Sequence, residues 1–151
     1  MTEEFTALDF ETTAYADGGV NEPWQLGIAV VEKGKIVETR EWFFGTSMTP
    51  DFEPMMAQWE DFYPYLAGRP LVAHNIATER TILRRVAPFT NWGPWADTLK
   101  LAKARYKGLP NYTLGELCAT FGLVPKIENR TWHDALYDSV ACANLALFLG
   151  F

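Results

Sequence analysis

The chain has 151 residues, 48% of them hydrophobic and 21% charged, with a net charge of −6, the profile of an ordinary globular domain. No apolar run approaches the roughly 20 residues that span a bilayer, and the acidic start Met1-Thr2-Glu3-Glu4 lacks the basic end of a secretory signal. The acidic balance also argues against strong non-specific electrostatic binding to nucleic acid. The two cysteines, Cys118 and Cys142, sit apart in apolar segments and form neither a metal pair nor a disulfide framework. A reducing, cytoplasmic setting and a single domain spanning residues 1–151 are the expectations.

Residues 3–10 alternate as a strand, with Phe5, Ala7 and Asp9 on one face and Thr6, Leu8 and Phe10 on the other. A polar, Gly-containing loop follows from Ala14 to Pro23. Gln25–Glu32 and Lys35–Phe44 are two β-rich runs joined at Lys33-Gly34, the pattern of a hairpin, which predicts a three-strand antiparallel meander. Beyond Pro54 the spacing of Met55, Met56, Trp59, Phe62, Tyr63 and Leu66 becomes helical. Pro70–Ala73 reads as a short strand, and a helix near Thr78–Ala87 carries Ile82, Leu83 and Val86 on its apolar side. Pro94–Ala96 reads as one more strand, feeding a helix from Asp97 or Thr98 to about Tyr106. Thr113 and Glu116 have capping-box spacing. Asp134 is a good N-cap for a helix from Ala135 to about Leu149, with Leu136, Val140, Ala143 and Leu147 along one stripe. The fold class is therefore α/β, with helices flanking a mixed five-stranded sheet.

Three segments carry chemistry. In Asp9-Phe10-Glu11 the two carboxylates lie two positions apart on a strand and so share a face. Such a like-charged pair on a central strand favours a cation beside it, and hard divalent ions prefer oxygen ligands. Acidic residues also end strands as ordinary turn residues, so the pair alone leaves both readings open. In His133 to Asp138, the histidine precedes the last helix and the aspartate lies early in it, where both can face one site. Ordinary capping and a favourable interaction with the helix dipole explain the same residues. The third segment is His74-Asn75 after a short strand, with Glu79 on the first turn of the next helix. Strand ends of this kind are where α/β sites assemble.

The order of these segments is more specific than any of them. Asp9-Phe10-Glu11-Thr12-Thr13, Leu71-Val72-Ala73-His74-Asn75 through Leu83, and His133 to Asp138 resemble the three motifs of the DEDDh family of 3′–5′ exonucleases. That group includes bacterial proofreading exonuclease subunits. Asp97-Thr98-Leu99 to Leu109-Pro110-Asn111-Tyr112-Thr113-Leu114 resembles the stretch before the family's third motif. The resemblance implies a ribonuclease H-like fold and two divalent ions, Mg²⁺ or Mn²⁺, on Asp9, Glu11, Asp138 and Glu79. It implies His133 as the general base, and Thr12, Thr13 and Asn75 near the terminal nucleotide, with His74 either structural or in contact with substrate. Glu79 stands where the family usually has aspartate and extends the carboxylate by one methylene.

The implied partner is a single-stranded 3′ end of DNA or RNA, with a polymerase or a second copy of the chain left open. A phosphodiesterase for short oligonucleotides, or an exonuclease-like module that binds without cleaving, are the alternatives. The clusters Arg80/Arg84/Arg85 and Lys100/Lys103/Arg105/Lys107 read equally as substrate contacts or as solvated helix faces. Among six tryptophans, Trp132 adjoins His133 and is the one to test for base stacking.

Overall fold

The computed structural model describes residues 3–13 and 21–150. Most of the expected loop at 14–23, namely residues 14–20, therefore lies outside the described residues.

The chain runs β1 (Phe5–Thr12), β2 (Pro23–Glu32), β3 (Lys35–Phe43), a 3₁₀ turn (Met55–Gln58), α1 (Trp59–Leu66), β4 (Leu71–Ala73), α2 (Ala77–Val86), β5 (Trp95–Asp97), α3 (Thr98–Arg105), α4 (Leu114–Phe121) and α5 (Ala135–Leu149). The five strands form one sheet in the order β3-β2-β1-β4-β5. β1 and β2 are antiparallel, as are β2 and β3, and the second pair turns at Lys33-Gly34, both residues at positive φ. β4 and β5 run parallel to β1. The parallel strands thus end together at one edge of the sheet, where loops and helix starts gather.

β1 is the central strand. Phe5, Thr6, Ala7 and Leu8 are all buried, so both faces are covered despite the alternating pattern. On one face Leu8, Phe10, Leu26, Ile28 and Val30 pack with Phe62 and Leu66 of α1 and Ile82 and Leu83 of α2. On the other, Phe5, Ala7, Ala29, Val31 and Val72 pack with Cys142, Ala143 and Ala146 of α5. A third cluster joins Ala102, Leu117, Leu145 and Leu149, so α5 is sandwiched between the sheet and the pair α3–α4.

That position changes the expected stripe on α5. Ala143 is fully buried, but Leu136, Val140 and Leu147 are only half-buried, and the deepest residues are Ala135, Ala141, Leu145 and Ala146. A helix covered on two sides has no single apolar stripe, and small side chains let it approach the sheet closely. The helical run after Pro54 likewise begins as a 3₁₀ turn, which leaves Met56 exposed.

Both N-caps form, although the Thr113 N–H donates to Asn111 Oδ1 instead of closing a box with Glu116. The Thr113 side chain accepts from the Glu116 N–H at 3.3 Å, and that of Asp134 accepts from the Tyr137 N–H at 3.1 Å. The cysteines are free and buried, and burial pushes the Cys118 thiol up to about 12. Among the described residues no helix is long and apolar enough to cross a membrane.

Candidate active site

The site forms where β1 ends. Asp9 and Glu11 project toward the α5 side, continuing the face set by Phe5 and Ala7. The register between β1 and β2 shifts between Glu11 and Thr12, so regular pairing stops just past the second carboxylate.

Asp138 arrives from the first turn of α5, and a glycine makes that possible. Gly27 pairs with Asp9 across the β1–β2 ladder. A Cβ at Gly27 would lie 2.2 Å from the carbonyl oxygen of Ala135, so only glycine lets the helix start rest on this strand. Gln25, paired with Glu11 and fully buried, accepts the Ala135 N–H at 3.0 Å and donates to Glu41 at 3.2 Å. Arg130 completes the attachment by donating to both oxygens of Glu41 on β3 and to Asp134, the N-cap of α5. Sequence reading identified Asp134 but missed Gly27, Gln25, Glu41 and Arg130. A glycine in a strand interior, suggesting close backbone approach, was the one available signal.

Glu79 comes from the opposite layer. It is buried in the first turn of α2, and its Oε2 accepts the Phe10 N–H at 3.1 Å. The four carboxylates meet at the sheet edge, and the crowding shows in their acidities. Burial, then the charges of Glu79, Glu11 and Asp138, raise Asp9 well above the ordinary carboxylate range. Burial pushes Glu79 up to about 7, opposed by the Phe10 N–H. Asp138 is pushed up to about 7 by burial and then by Glu11. Among the described residues, Asp9 Oδ2 and Asp138 Oδ1 are shielded from solvent and have no hydrogen-bond partner. Carboxylate oxygens left buried and unpaired are costly unless a cation completes them, and an all-oxygen cluster suits a hard divalent ion. The residues present therefore fit such an ion.

His133 sits at the rim. Its backbone adopts φ 70, unusual for a side-chain-bearing residue, and its N–H donates to Asp138 Oδ2 at 3.2 Å. Ligand atoms of Glu11, His133 and Asp138 all lie within 4.8 Å of one another.

The remaining expected residues separate into groups. Thr12 lines a cleft of about 460 Å³ with Asn21, Thr78, Thr81 and Arg85. Thr13 lines a smaller one of about 240 Å³ with Trp24 and Met48. His74 and Asn75 border a third, about 430 Å³, with Lys103, Asn111 and Tyr112. Both ring nitrogens of His74 are engaged at 2.8 Å, with Thr98 Oγ1 and the Tyr112 carbonyl, and burial lowers its pKa. That ring ties the start of α3 to the loop before α4. Asn75, at φ 66, donates its N–H to Asp97 Oδ1 at 2.9 Å, and Asp97 also caps α3 through the Leu99 N–H. Trp132 packs edge-on against Tyr137, with centroids 4.9 Å apart, and lies against Gly115.

Of the basic clusters, Arg85 alone lines the cleft beside Thr12, and Lys103 lies 6.0 Å over the Tyr112 ring. The other cations named in the two clusters are exposed along α2 and α3 or just beyond α3.

Comparison with known proteins agrees with this fold. A profile of the exonuclease family RNase_T matches residues 48–146, well over half of the chain. The matched span holds Glu79, His133 and Asp138, while Asp9 and Glu11 precede it. A DNA polymerase III of the PolC type from Mycoplasmopsis pulmonis (strain UAB CTIP) is 28% identical over 96% of this chain, which spans only 11% of that relative's length. Among solved structures, exonuclease X in complex with 5′-overhanging duplex DNA superposes with a TM-score of 0.72 at 25% identity, covering 96% of this chain and 90% of that one. The nuclease domain of 3'hExo, a DEDDh family member bound to rAMP, shares the fold with a TM-score of 0.71 at 14% identity, covering 97% and 91%. The chain belongs to the exonuclease family RNase_T.

Proposed function

We propose that this domain removes nucleoside 5′-monophosphates from the single-stranded 3′ end of DNA or RNA, with Asp9, Glu11, Glu79 and Asp138 holding two divalent ions and His133 as the general base. The observation that carries the reading is the convergence of four carboxylates from β1, α2 and α5, with oxygens of Asp9 and Asp138 buried and without a partner among the described residues, beside one imidazole.

Two bound divalent ions would neutralise the cluster and stabilise both the attacking and the leaving oxygen of an in-line displacement. The chain's own groups do the rest. His133 is exposed at the rim, where its ring can meet a water at the scissile phosphorus. It takes the proton as the water oxygen bonds to phosphorus and the bond to the preceding nucleotide's 3′ oxygen breaks. The left-handed backbone at His133 and its N–H bond to Asp138 hold the base close to a metal-binding carboxylate.

Thr12 and Asn75 border the two larger clefts, each of a size that takes a small ligand. The hydroxyls of Thr12, Thr78 and Thr81 and the Arg85 guanidinium would face the terminal nucleotide. Lys103 and Asn111 would meet the backbone further along the strand. Glu79 would serve in place of aspartate: its Oε2 holds the Phe10 N–H, and its charge is close enough to raise the Asp9 carboxyl. Trp132 is assigned to packing rather than to stacking on a base, since Tyr137 and Gly115 occupy two sides of its ring. The net charge of −6 fits a grip on phosphate made through metal ions more than through a basic surface.

The test uses 5′-labelled single-stranded DNA and RNA with Mg²⁺, Mn²⁺ or chelator, comparing wild type with Asp9→Ala. A metal-dependent ladder shortening from the 3′ end, absent in the variant, is the expected result, and its relative rate ranks DNA against RNA. Retained oligonucleotide binding without cleavage in either metal would replace the enzyme by a 3′-end-binding module. Cleavage restricted to oligomers of a few nucleotides would narrow it to a phosphodiesterase for short oligonucleotides.

A further inference from the structure

Both nitrogens of the His74 ring are committed, and they tie together three segments of the chain. Nε2 lies 2.8 Å from the Tyr112 carbonyl, and Nδ1 lies 2.8 Å from Oγ1 of Thr98, the first residue of α3. A carbonyl oxygen only accepts, so the ring carries its hydrogen on Nε2 and takes the Thr98 hydroxyl hydrogen on Nδ1. Thr98 is fully buried, and its contact with Nδ1 is shorter than its 3.3 Å contact with the Ala73 carbonyl. Burial lowers the His74 pKa, which keeps the ring in this neutral form. No donor on the ring is left for a substrate.

What the ring holds is the segment 106–113. The Tyr112 hydroxyl donates to the Tyr106 carbonyl and accepts the Leu109 N–H, while Asn111 Oδ1 accepts the Thr113 N–H and hydroxyl. The segment is thus closed on itself. Among the described residues, the His74 bond is its only hydrogen bond to the end of β4. Asn75, on the border of the same cleft of about 430 Å³, is fixed separately, since its N–H donates to Asp97. Lys103 reaches over the Tyr112 ring, and among the described residues no carboxylate lines this cleft, although the chain carries −6. A cleft with a cation, amides and a hydroxyl but no anion suits a phosphodiester backbone, which such groups bind without reading sequence.

We propose that His74 is a positioning residue for substrate: through Tyr112 it sets the segment 106–113 and Lys103 as a seat for the phosphodiester backbone upstream of the scissile bond. The inference deepens the exonuclease reading and rests on it. The cleft at Thr12 shares no lining residue with this one. The effect of His74 therefore appears with substrates long enough to reach the seat.

His74→Asn and His74→Gln divide the two bonds. The Asn side chain ends where Nδ1 lies and keeps the Thr98 contact, whereas the Gln amide nitrogen reaches the place of Nε2 and keeps the Tyr112 contact. KM and kcat are measured with Mg²⁺ on a dinucleotide and an octanucleotide. His74→Asn should raise KM for the octanucleotide about tenfold, the scale of one lost contact to a charged group, with kcat moving by less than about twofold. KM for the dinucleotide should move far less. His74→Gln should recover most of the loss, and Lys103→Gln should reproduce it. Adding His74→Asn to Lys103→Gln should change little more, because both act on one contact. Anisotropy of a 5′-fluorescent octanucleotide, bound in an Asp9→Asn background, should follow the same order. Nitrogen NMR of the wild-type ring should show the hydrogen on Nε2.

An Nδ1–H ring overturns the proposal, as does an equal His74→Asn loss at both lengths. So does a folded His74→Gln no better than His74→Asn. Lys103 is exposed, so Lys103→Gln tests the seat even where a His74 variant does not fold, and an unchanged octanucleotide KM there also overturns it. If wild type cleaves neither substrate while anisotropy keeps the expected order, the positioning role holds and the exonuclease reading alone fails.

Discussion

Asp9 carries the sharpest prediction at the scale of single residues. Its folded-state pKa is raised by burial and by three neighbouring carboxylates. A raised carboxylate contributes stability that is full below the unfolded value near 4 and lost as pH rises through the folded one. Asp9→Asn removes that loss. In chelator, the variant should melt above wild type at pH 8, with the difference shrinking toward pH 4, while cleavage disappears at every pH. A variant that melts below wild type at pH 8 would show that Asp9 makes a structural contact the geometry does not reveal. Glu79 separates charge from structure in a similar way. Glu79→Gln keeps an oxygen for the Phe10 N–H, so it should fold with at least wild-type stability in chelator, yet bind Mg²⁺ more weakly by calorimetry. That Asp9, Glu11, His133 and Asp138 share one site was implied by the order of their motifs and the family resemblance, since each segment alone left an ordinary reading open. His74 and Trp132 were less legible, because a polar or aromatic residue beside a motif looks the same whether it faces a ligand or a neighbouring loop.

Between elements, the position of α5 decides the site, and it depends on two buried residues of β2. Gly27→Ala would place a Cβ 2.2 Å from the Ala135 carbonyl, so the helix start must move off the strand. Overpacking of this kind costs about 1–3 kcal/mol, and urea unfolding should show at least that. Mg²⁺ binding should weaken as well, since Asp138 moves with the helix. Gln25→Ala leaves the Ala135 N–H buried without its acceptor, a loss of about 1–3 kcal/mol measurable in the same way. If either variant kept full metal affinity, the α5 start would be held by other contacts. Most elements were legible because their signals are local. The hairpin at Lys33-Gly34, the caps at Thr113 and Asp134, and the glutamate on the first turn of α2 depend on residues within a few positions. The two-sided burial of α5 was not legible, since it follows from α3 and α4 packing on its outer side.

Across the whole molecule, metal and pH are linked through the carboxylate cluster. Glu79 and Asp138 both titrate near 7 without metal, so the metal-free protein should lose stability as pH rises from about 5 to 8. Saturating Mg²⁺ should oppose that loss, and at 100 times its dissociation constant it adds about 2.7 kcal/mol. Thermal melts across pH with Mg²⁺ and with chelator test this. Parallel curves in the two conditions would separate the raised acidities from metal binding.

The sequence by itself determined the α/β class, the order of strands and helices, and the residue types that could hold a divalent ion, because period-two and helical patterning, caps and motif order are properties of neighbouring positions. Only the tertiary structure decided that β1 lies between β2 and β4, that α5 rests on Gly27, and that Glu79 reaches the cluster from the opposite layer. Those arrangements are set by which surfaces exclude water together and how closely two backbones can approach. Both depend on residues far apart in the chain, such as Gln25 and Ala135, whose pairing no local pattern records.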